Sequence, residues 1–395
     1  MKKHLAVLCG VFYPKPSPTG LCVQRFVSLL SDSYDIDVVC ISSSAVPTEI
    51  EENGVRIHAL LGKRMQMERN GSVLKCAAAH AIGAAQIKTS VLGNLSWFYE
   101  QSLELLKQLH QKNPVDAVFS VCSPFAAHCA AKEFVKDNPN VRWCAYTVDP
   151  DASDGRIRPF CYSTERLSAY ECGICDCADT LLLSEEVYAT RNDLRNCNAD
   201  CRRLPYLLPT FPDNPIPERN PSNKYINCVY AGRFYSKIRN PEQMLTTFHA
   251  VSNPNLRLHL YSTGCEDVVK RFAAKDSRIL LHATVSSEEI RKIYQEADFL
   301  VNVENSLPEF MPSKLFEYIA ACRPIISFGS GQSRILLAAH PASFIACGAG
   351  DASKLQSFLE TKLGTIISAA EIEKLYEHHS QNNIRRILID ALSES

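Results

Sequence analysis

The chain has 395 residues, of which 46% are hydrophobic and 22% are charged, and its formal net charge is −1. This length exceeds what a single hydrophobic core usually supports, so two domains are expected. The near-zero charge argues against a general nucleic-acid binder. The sequence contains no run of 18 apolar residues, so no membrane span is predicted.

The cysteines indicate a reducing compartment. There are 17 of them, and several lie in apolar runs, as Cys40, Cys144 and Cys228 do. Such cysteines behave as small buried hydrophobic residues, so we expect a cytoplasmic protein. The apolar N-terminal run ends near Phe12 and is followed by prolines without a small-residue cleavage site, which predicts a buried strand rather than a signal peptide.

Short apolar runs alternate with helical patterns through the first half of the chain. Strands are predicted at 4–9, 36–42, 55–60, 116–121, 141–147 and 179–183. Helices are predicted at 20–32, 73–90, 97–112, 124–136, 162–177 and 184–194. This alternation is typical of a parallel sheet with crossover helices.

A proline-rich connector then separates two halves. Six prolines fall between Pro205 and Pro221, which predicts a stiff, non-helical segment and a domain boundary. The alternation resumes with strands at 225–231, 256–262, 279–283, 298–303 and 324–328. Helices are predicted at 240–251, 265–274, 286–296, 313–322 and 352–361, and a polar helical stretch follows at 369–393.

A CxxC motif occurs at Cys172 and Cys175, with Cys177 two residues further on. Zinc binding or redox chemistry is one interpretation. The spacing scatters the thiols around a helix, which favours a structural role.

Three cations follow the first strand of the second half. Arg233, Lys237 and Arg239 fall within seven residues, just before a predicted helix. Cations at a strand end beside a helix N-terminus indicate an anion site. A solvated charged turn is the alternative.

Two carboxylates stand eight residues apart at Glu309 and Glu317. Between them Pro312 and Ser313 predict a helix start, and Lys314 then lies in the first turn, where a cation opposes the helix dipole. A bound anion would explain that lysine, and carboxylates suit sugar hydroxyls. Together these features predict a nucleotide-sugar site.

The segment 225–330 resembles the donor-binding domain of GT-B glycosyltransferases, especially glycosyltransferase family four. The resemblance rests on Tyr230-Ala-Gly-Arg233, the run from Ser287 to Asp298, the E-x7-E spacing, and Arg323-Pro-Ile-Ile. It implies an α/β fold in which two Rossmann-like parallel-sheet domains face each other across a cleft. We expect an acceptor-side domain at 1–207, a donor domain at 208–377, and a C-terminal helix at about 378–395 that packs back on the first domain.

The resemblance also implies roles for individual residues. Glu317 would accept hydrogen bonds from the ribose, and Glu309 would lie near the transferred sugar as a catalytic group. Donor-phosphate contacts are expected from Arg233, Lys237, Arg239, Ser313, Lys314 and Gly20.

In the first domain the resemblance makes Asp149 the candidate for orienting the acceptor, or for a general base if transfer inverts. His128 is interpreted as a structural residue of a helix.

The expected activity is transfer of a sugar from a UDP- or GDP-linked donor to a glycan, a lipid-linked intermediate or a small molecule. Transfer is expected to retain configuration without a metal or other cofactor. A basic stretch with Lys63, Arg64, Arg69 and Lys75 either contacts an anionic membrane surface or leads into an ordinary helix.

Two alternatives remain, a nucleotide-sugar 2-epimerase and a non-catalytic nucleotide-sugar-binding or scaffold protein. Ala283 and Cys322 stand where the family often has glycine. A dehydrogenase is less favoured, because neither half has a G-x-G-x-x-G turn.

Overall fold

The computed structural model describes residues 2–44, 46–62, 92, 95–150, 163–209, 216–306, 314–329, 333–346 and 348–393. The chain divides into two compact units. The N-terminal unit comprises Met1–Tyr206 with Gln381–Ser395, and the C-terminal unit comprises Leu207–Ser380. The helix predicted at 73–90 and the basic stretch that begins at Lys63 lie outside the described residues. No described helix is long and apolar enough to cross a membrane.

The N-terminal unit contains an eight-stranded sheet in the order β3-β4-β2-β1-β5-β6-β7-β8. Its strands are β1 Lys3–Tyr13, β2 Tyr34–Ser42, β3 Thr48–Glu52, β4 Val55–Leu60, β5 Ala117–Cys122, β6 Arg142–Thr147, β7 Thr180–Leu183 and β8 Asp200–Arg203. Neighbouring strands run parallel except for β3 and β4. The six predicted strands are present, while the edge strands β3 and β8 were not predicted.

The helices of this unit are α1 Pro18–Leu30, α2 Ser96–Lys112, α3 Ala126–Asp137, α4 Thr164–Cys175, α5 Glu185–Thr190 and α6 Asn192–Arg195. The single helix predicted at 184–194 is therefore wrong. Arg191 leaves the helical conformation, with φ −96° and ψ 76°. Its guanidinium lies 3.0 Å from Glu171 Oε2 and 2.7 Å from Asp193 Oδ2, and these ion pairs hold the chain at the break.

The C-terminal unit contains a six-stranded parallel sheet in the order β11-β10-β9-β12-β13-β14. Its strands are β9 Ile226–Arg233, β10 Leu256–Thr263, β11 Ile279–Leu281, β12 Phe299–Val303, β13 Ile325–Phe328 and β14 Ser343–Ala346. The helices are α7 Glu242–Ala250, α8 Glu266–Lys275, α9 Ser287–Glu296, α10 Lys314–Ala320, α11 Ser333–Ala338, α12 Ala352–Lys362 and α13 Ala369–Leu375. The short elements α11 and β14 were not predicted.

Apolar alternation fixes how this sheet packs. Cys228 and Tyr230 of β9 lie in one buried cluster with Met244 and Phe248 of α7. The sheet is thus covered on this face, as expected when crossover helices bury a parallel sheet.

The last helix, α14 Gln381–Leu392, belongs to the N-terminal unit. Ile384 and Leu388 are fully buried. Arg385 donates from Nε to the carbonyl of Leu29 at 3.1 Å, and Arg142 donates to the carbonyl of Ala391 at 2.9 Å. Apolar burial and these two hydrogen bonds attach the end of the chain to the first unit.

Candidate functional site

The C-terminal unit has a topological switch point between β9 and β12. From β9 the chain proceeds outward through β10 and β11, and from β12 it proceeds the other way through β13 and β14. Ligands of open α/β sheets bind beyond the carboxyl ends of the strands at such a point. A cavity of about 1050 Å³ lies there, lined by the loop after β9, the ends of β12 and β13, and the first turns of α7 and α11.

The loop after β9 is fixed by backbone hydrogen bonds. Tyr235 and Arg239 pair across it, with N–O distances of 3.1 and 2.8 Å. Ser306, just after β12, donates from N to the carbonyl of Ile238 at 2.7 Å and from Oγ to the carbonyl of Lys237 at 2.9 Å. The cations of this loop are therefore held against the end of β12.

The cavity wall carries exposed cations. Lys237 and Arg334 line it with exposed side chains, and Arg239 donates from Nε to Asn305 Oδ1 of the wall at 2.9 Å. Within the described residues, none of these three cations forms an ion pair with a carboxylate. Glu242 at the cavity is already paired with Arg271 at 2.8 Å. The charge that remains unneutralised suits an anionic ligand.

Glu304 forms a buried polar floor beside these cations. Its Oε2 accepts from Ser333 Oγ at 2.7 Å, and its Oε1 accepts from Ser327 Oγ at 3.1 Å. Burial raises the pKa of Glu304, while the two serines act in the opposite direction. A Cβ at Gly329, whose φ is +117°, would lie 2.7 Å from Cβ of Glu304, so this approach requires glycine. The network ties together the ends of β12 and β13 and the start of α11.

Helix α10 is anchored to the end of β9 by Tyr318. Its hydroxyl donates to the carbonyl of Ala231 at 3.1 Å and accepts from the amide of the same residue at 3.0 Å. Glu317, on the preceding position, therefore lies at the same sheet edge as the cationic loop. Lys314 lies 2.9 Å from Glu317 Oε2, and this ion pair explains its place in the first turn without a bound anion.

The other residues predicted to bind the donor do not line the cavity or lie outside the described residues. The exposed Arg233 has its guanidinium carbon 5.5 Å from the ring centre of Tyr235. Neither Arg233 nor Glu317 is among the described residues that line the cavity. Glu309 and Ser313 lie outside the described residues. Arg334 and Glu304 were missed by sequence reasoning. Glu304 directly follows a predicted strand and could have been noticed there, whereas Arg334 lies six residues beyond its strand.

In the N-terminal unit Gly20 serves packing. It lies in the first turn of α1, and its amide donates to the capping hydroxyl of Ser17 at 3.0 Å. A Cβ on Gly20 would lie 2.0 Å from the carbonyl oxygen of Val11. The close approach that requires glycine here is therefore that of α1 to β1.

Asp149 is half-buried and follows β6 at the carboxyl edge. His128, predicted to be structural, is fully buried in α3. Its Nδ1 is 2.8 Å from Ser120 Oγ and its Nε2 is 3.3 Å from Thr147 Oγ1. Burial lowers the pKa of His128 to about 3, so it stays neutral and bridges two strands.

The cysteines near the CxxC motif are free thiols. Burial raises the pKa of Cys172 and Cys175, and that of Cys201 to about 11, so these thiols resist ionisation. In the part of the chain that the structure describes, they join no group with metal-ligand geometry. These properties fit a structural role.

Comparison with known proteins agrees with the fold. Residues 226–367 match the model of the family described as Glycosyl transferases group 1. No curated protein sequence matches the chain.

Solved structures are similar over nearly the whole length, though at low identity. Sucrose-phosphate synthase from Thermosynechococcus elongatus has 14% identity and a TM-score of 0.67, covering 98% of each chain. UDP-forming α,α-trehalose-phosphate synthase from Burkholderia xenovorans has 12% identity and a TM-score of 0.63, covering 99% of this chain and 98% of that one. Anabaena Alr3699/HepE, solved with UDP and glucose, has 12% identity and a TM-score of 0.61, covering 100% of both chains. The fold is therefore the GT-B fold of glycosyltransferases, and the family match lies in the unit that holds the cavity.

Proposed function

We propose that the protein is a glycosyltransferase that binds a nucleotide-diphosphate sugar in its C-terminal unit. The observation that carries this proposal is the switch-point cavity, which Lys237 and Arg334 line with Arg239 beside them, none of the three forming an ion pair among the described residues. A cavity of this size accommodates a nucleotide sugar. The diphosphate would pair with these cations.

The same cations provide the chemistry of transfer. As the bond between the anomeric carbon and the diphosphate oxygen breaks, negative charge grows on the leaving group, and fixed cations stabilise it. The acceptor oxygen bonds to the anomeric carbon, and its proton passes to the leaving phosphate oxygen. In this proposal transfer retains configuration, and side chains provide the charge compensation without a metal. Glu317 binds the ribose, and Glu309 lies near the transferred sugar.

The donor in this proposal is UDP- or GDP-linked. The acceptor is a hydroxyl of a glycan, a lipid-linked intermediate or a small molecule, within synthesis of cell-surface polysaccharide or glycoconjugate. The protein would work in the cytoplasm, where the basic stretch from Lys63 to Lys75 would contact the membrane surface when the acceptor is lipid-linked.

The test is a thermal-shift panel of UDP, GDP, ADP and CMP with their common sugar conjugates. A ligand that binds only the folded state raises the melting temperature. We expect one nucleotide class to stabilise the wild type, with smaller shifts for Lys237→Ala, Arg334→Ala and Glu317→Ala. Lys292→Ala is the control, because that exposed lysine is paired with Glu288 on α9 at 3.0 Å.

Turnover separates the enzyme from its alternative. Release of free nucleotide from the selected donor, measured with a panel of sugar acceptors, supports a transferase. Nucleotide binding without turnover favours the non-catalytic protein. No shift with any nucleotide contradicts the donor site.

A further inference from the structure

A buried polar cluster lies towards the amino ends of the strands in the N-terminal unit. His4 at the start of β1 is 3% exposed, and Asp37 of β2 is 1% exposed. His4 Nε2 lies 2.7 Å from Asp37 Oδ2. Because β1 and β2 are paired parallel strands, this contact joins neighbouring strands beneath the surface.

In the described part of the chain, the atoms within hydrogen-bond distance of the His4 ring nitrogens are acceptors. Nδ1 lies 3.1 Å from the carbonyl oxygen of Asn113 and 3.3 Å from that of Pro114, in the connection between α2 and β5. Nε2 faces the Asp37 carboxylate. A neutral imidazole donates from one nitrogen only, whereas an imidazolium donates from both. Burial lowers the pKa of His4, but the contacts with Asp37 and the two carbonyls outweigh burial and raise it above the ordinary 6.5.

The surrounding cations keep Asp37 ionised. Arg56 of β4 donates to Asp37 from Nε at 2.9 Å and from Nη2 at 2.7 Å, and it also donates to Asp35 at 2.8 Å. His58 of β4 donates from Nε2 to Asp37 Oδ1 at 2.7 Å. Burial raises the pKa of Asp37, but the hydrogen bonds from His4, His58 and Arg56 hold it well below its usual range. A buried carboxylate is therefore present to pair with a charged His4.

Three further titratable groups lie on the adjoining elements. Glu49 of β3 lies 3.7 Å from His58 Nδ1 and is mostly exposed. Asp116, before β5, accepts from the backbone amide of His4 at 2.6 Å. His110, near the end of α2, turns its Nδ1 to a backbone amide at 3.1 Å. Among the described residues, none of these three groups hydrogen-bonds to the His4 ring, so Asp37 and the two carbonyls determine its charge.

We propose that His4 is a buried imidazolium at neutral pH, and that its second proton ties the start of β1 to β2 and to the connection between α2 and β5. When hydroxide removes that proton in mild alkali, a lone pair on one ring nitrogen faces either the Asp37 carboxylate or the two carbonyl oxygens. The hydrogen bond on that side is lost, and this end of the sheet becomes less stable. The N-terminal unit thus contains a pH-sensitive lock that does not depend on the proposed sugar transfer.

The first experiment follows the histidine rings of the full wild-type chain by nitrogen-15 NMR as the pH is raised. We expect both ring nitrogens of His4 to stay protonated up to a midpoint above about pH 7, whereas an ordinary histidine titrates near 6.5. His128 is the internal control, because its fully buried ring stays neutral. A His4 midpoint at or below about pH 7, or a single protonated nitrogen at neutral pH, overturns the proposal.

Urea denaturation tests whether that proton stabilises the fold. Between about pH 6.5 and pH 8, below the usual thiol pKa of about 8.5, the unfolded chain releases a proton that folded His4 retains. Stability is therefore full below pH 6.5 and is lost as the pH rises through the folded pKa of His4. We expect the equilibrium constant for unfolding of the wild type to rise severalfold more over this range than that of His4→Gln.

His58→Gln is the matched control for the denaturation experiment. It removes a histidine from the same Asp37 carboxylate, but the ring of His58 needs only the Nε2 proton for that contact. This variant should keep the pH dependence of the wild type. Equal pH dependence in the wild type and in His4→Gln overturns the lock. The NMR titration needs no variant, so it decides the charge of His4 even if His4→Gln does not fold.

Discussion

Gly20 illustrates how the absence of a side chain allows a helix to pack closely against a strand. Replacing it with alanine would put a methyl group 2.0 Å from the Val11 carbonyl oxygen, so α1 must move away from β1. We expect Gly20→Ala to lower the free energy of unfolding by about 1–3 kcal/mol, measured by urea denaturation.

The control for Gly20 is Gly173→Ala. Gly173 also lies in a helix, α4, but a Cβ there meets nothing within 4 Å. This substitution should raise stability by about 0.5–1 kcal/mol, because alanine is the better helix former. Equal effects of the two substitutions would show that the contact with Val11 is unimportant.

The buried carboxyl of Glu186 leads to a separate prediction about how stability depends on pH. Burial raises its pKa to about 7, and the charges of Glu185 and Asp149 act in the same direction. Between about pH 4.5 and pH 7 the Glu186 carboxyl is protonated in the folded protein but ionised in the unfolded chain. The free energy of unfolding therefore decreases as the pH rises towards 7. Relative to wild type, Glu186→Gln should gain on the order of 3 kcal/mol between pH 4.5 and pH 8. If urea denaturation gives the same difference in free energy of unfolding between the variant and the wild type at both pH values, the buried position of this carboxyl is contradicted.

At the scale of elements, the sequence predicts the strands whose formation is driven by hydrophobic burial. The runs that became β1, β2 and β9 are apolar and bounded by turn residues, so their own patterns identify them. The strand β3, Thr48–Glu52, is exposed and acidic and exists because it pairs with β4. Such edge strands are stabilised by pairing with a neighbouring strand and not by an apolar pattern of their own, which explains why β3, β8 and β14 were not predicted.

The candidate site was predictable to a similar extent. Lys237 and Arg239 were found because cations after a strand of a parallel sheet lie at its carboxyl edge. Arg334 follows a short strand with no charge pattern around it. It joins Lys237 only because β9 and β13 both flank β12, and this strand order is a tertiary property.

The anchoring of α10 gives a prediction at this scale. Tyr318→Phe removes both hydrogen bonds to Ala231 and leaves the ring in place. We expect a loss of about 1–3 kcal/mol, since the buried backbone groups become unpaired, together with weaker nucleotide binding. Val269→Ala in α8 is the control, because it removes buried methyl groups from the same unit away from α10. A stability loss without weaker nucleotide binding in Tyr318→Phe would separate α10 from the donor site.

At the scale of the whole molecule, the evidence for function differs between the two units. The family match covers only residues 226–367, and the cavity with its cations lies in the same unit. For the N-terminal unit the comparisons show only the fold, at 14% identity or less, so the role expected of Asp149 stays a prediction.

The last prediction concerns the stability of both units in acid. Burial lowers the pKa of His128 in the first unit to about 3, and that of His259 and His340 in the second to about 4. Below pH 6.5 the unfolded chain binds protons that these folded histidines exclude, so stability falls as the pH falls. At pH 5 His128 and His340 each contribute a loss of about 2 kcal/mol, and His259, which is more exposed to solvent, contributes less.

Glu186 and His4, whose pKa values are raised, act in the opposite direction and offset part of this loss. We therefore expect the free energy of unfolding to fall by a few kcal/mol between pH 7 and pH 5, measured by urea denaturation at constant ionic strength. His259→Asn should flatten this dependence, because it removes one of the excluded protons. Stability that is unchanged or higher at pH 5 would mean that the buried histidines accept protons without unfolding, and that the polar contacts of His128 with Ser120 and Thr147 do not require its neutral form.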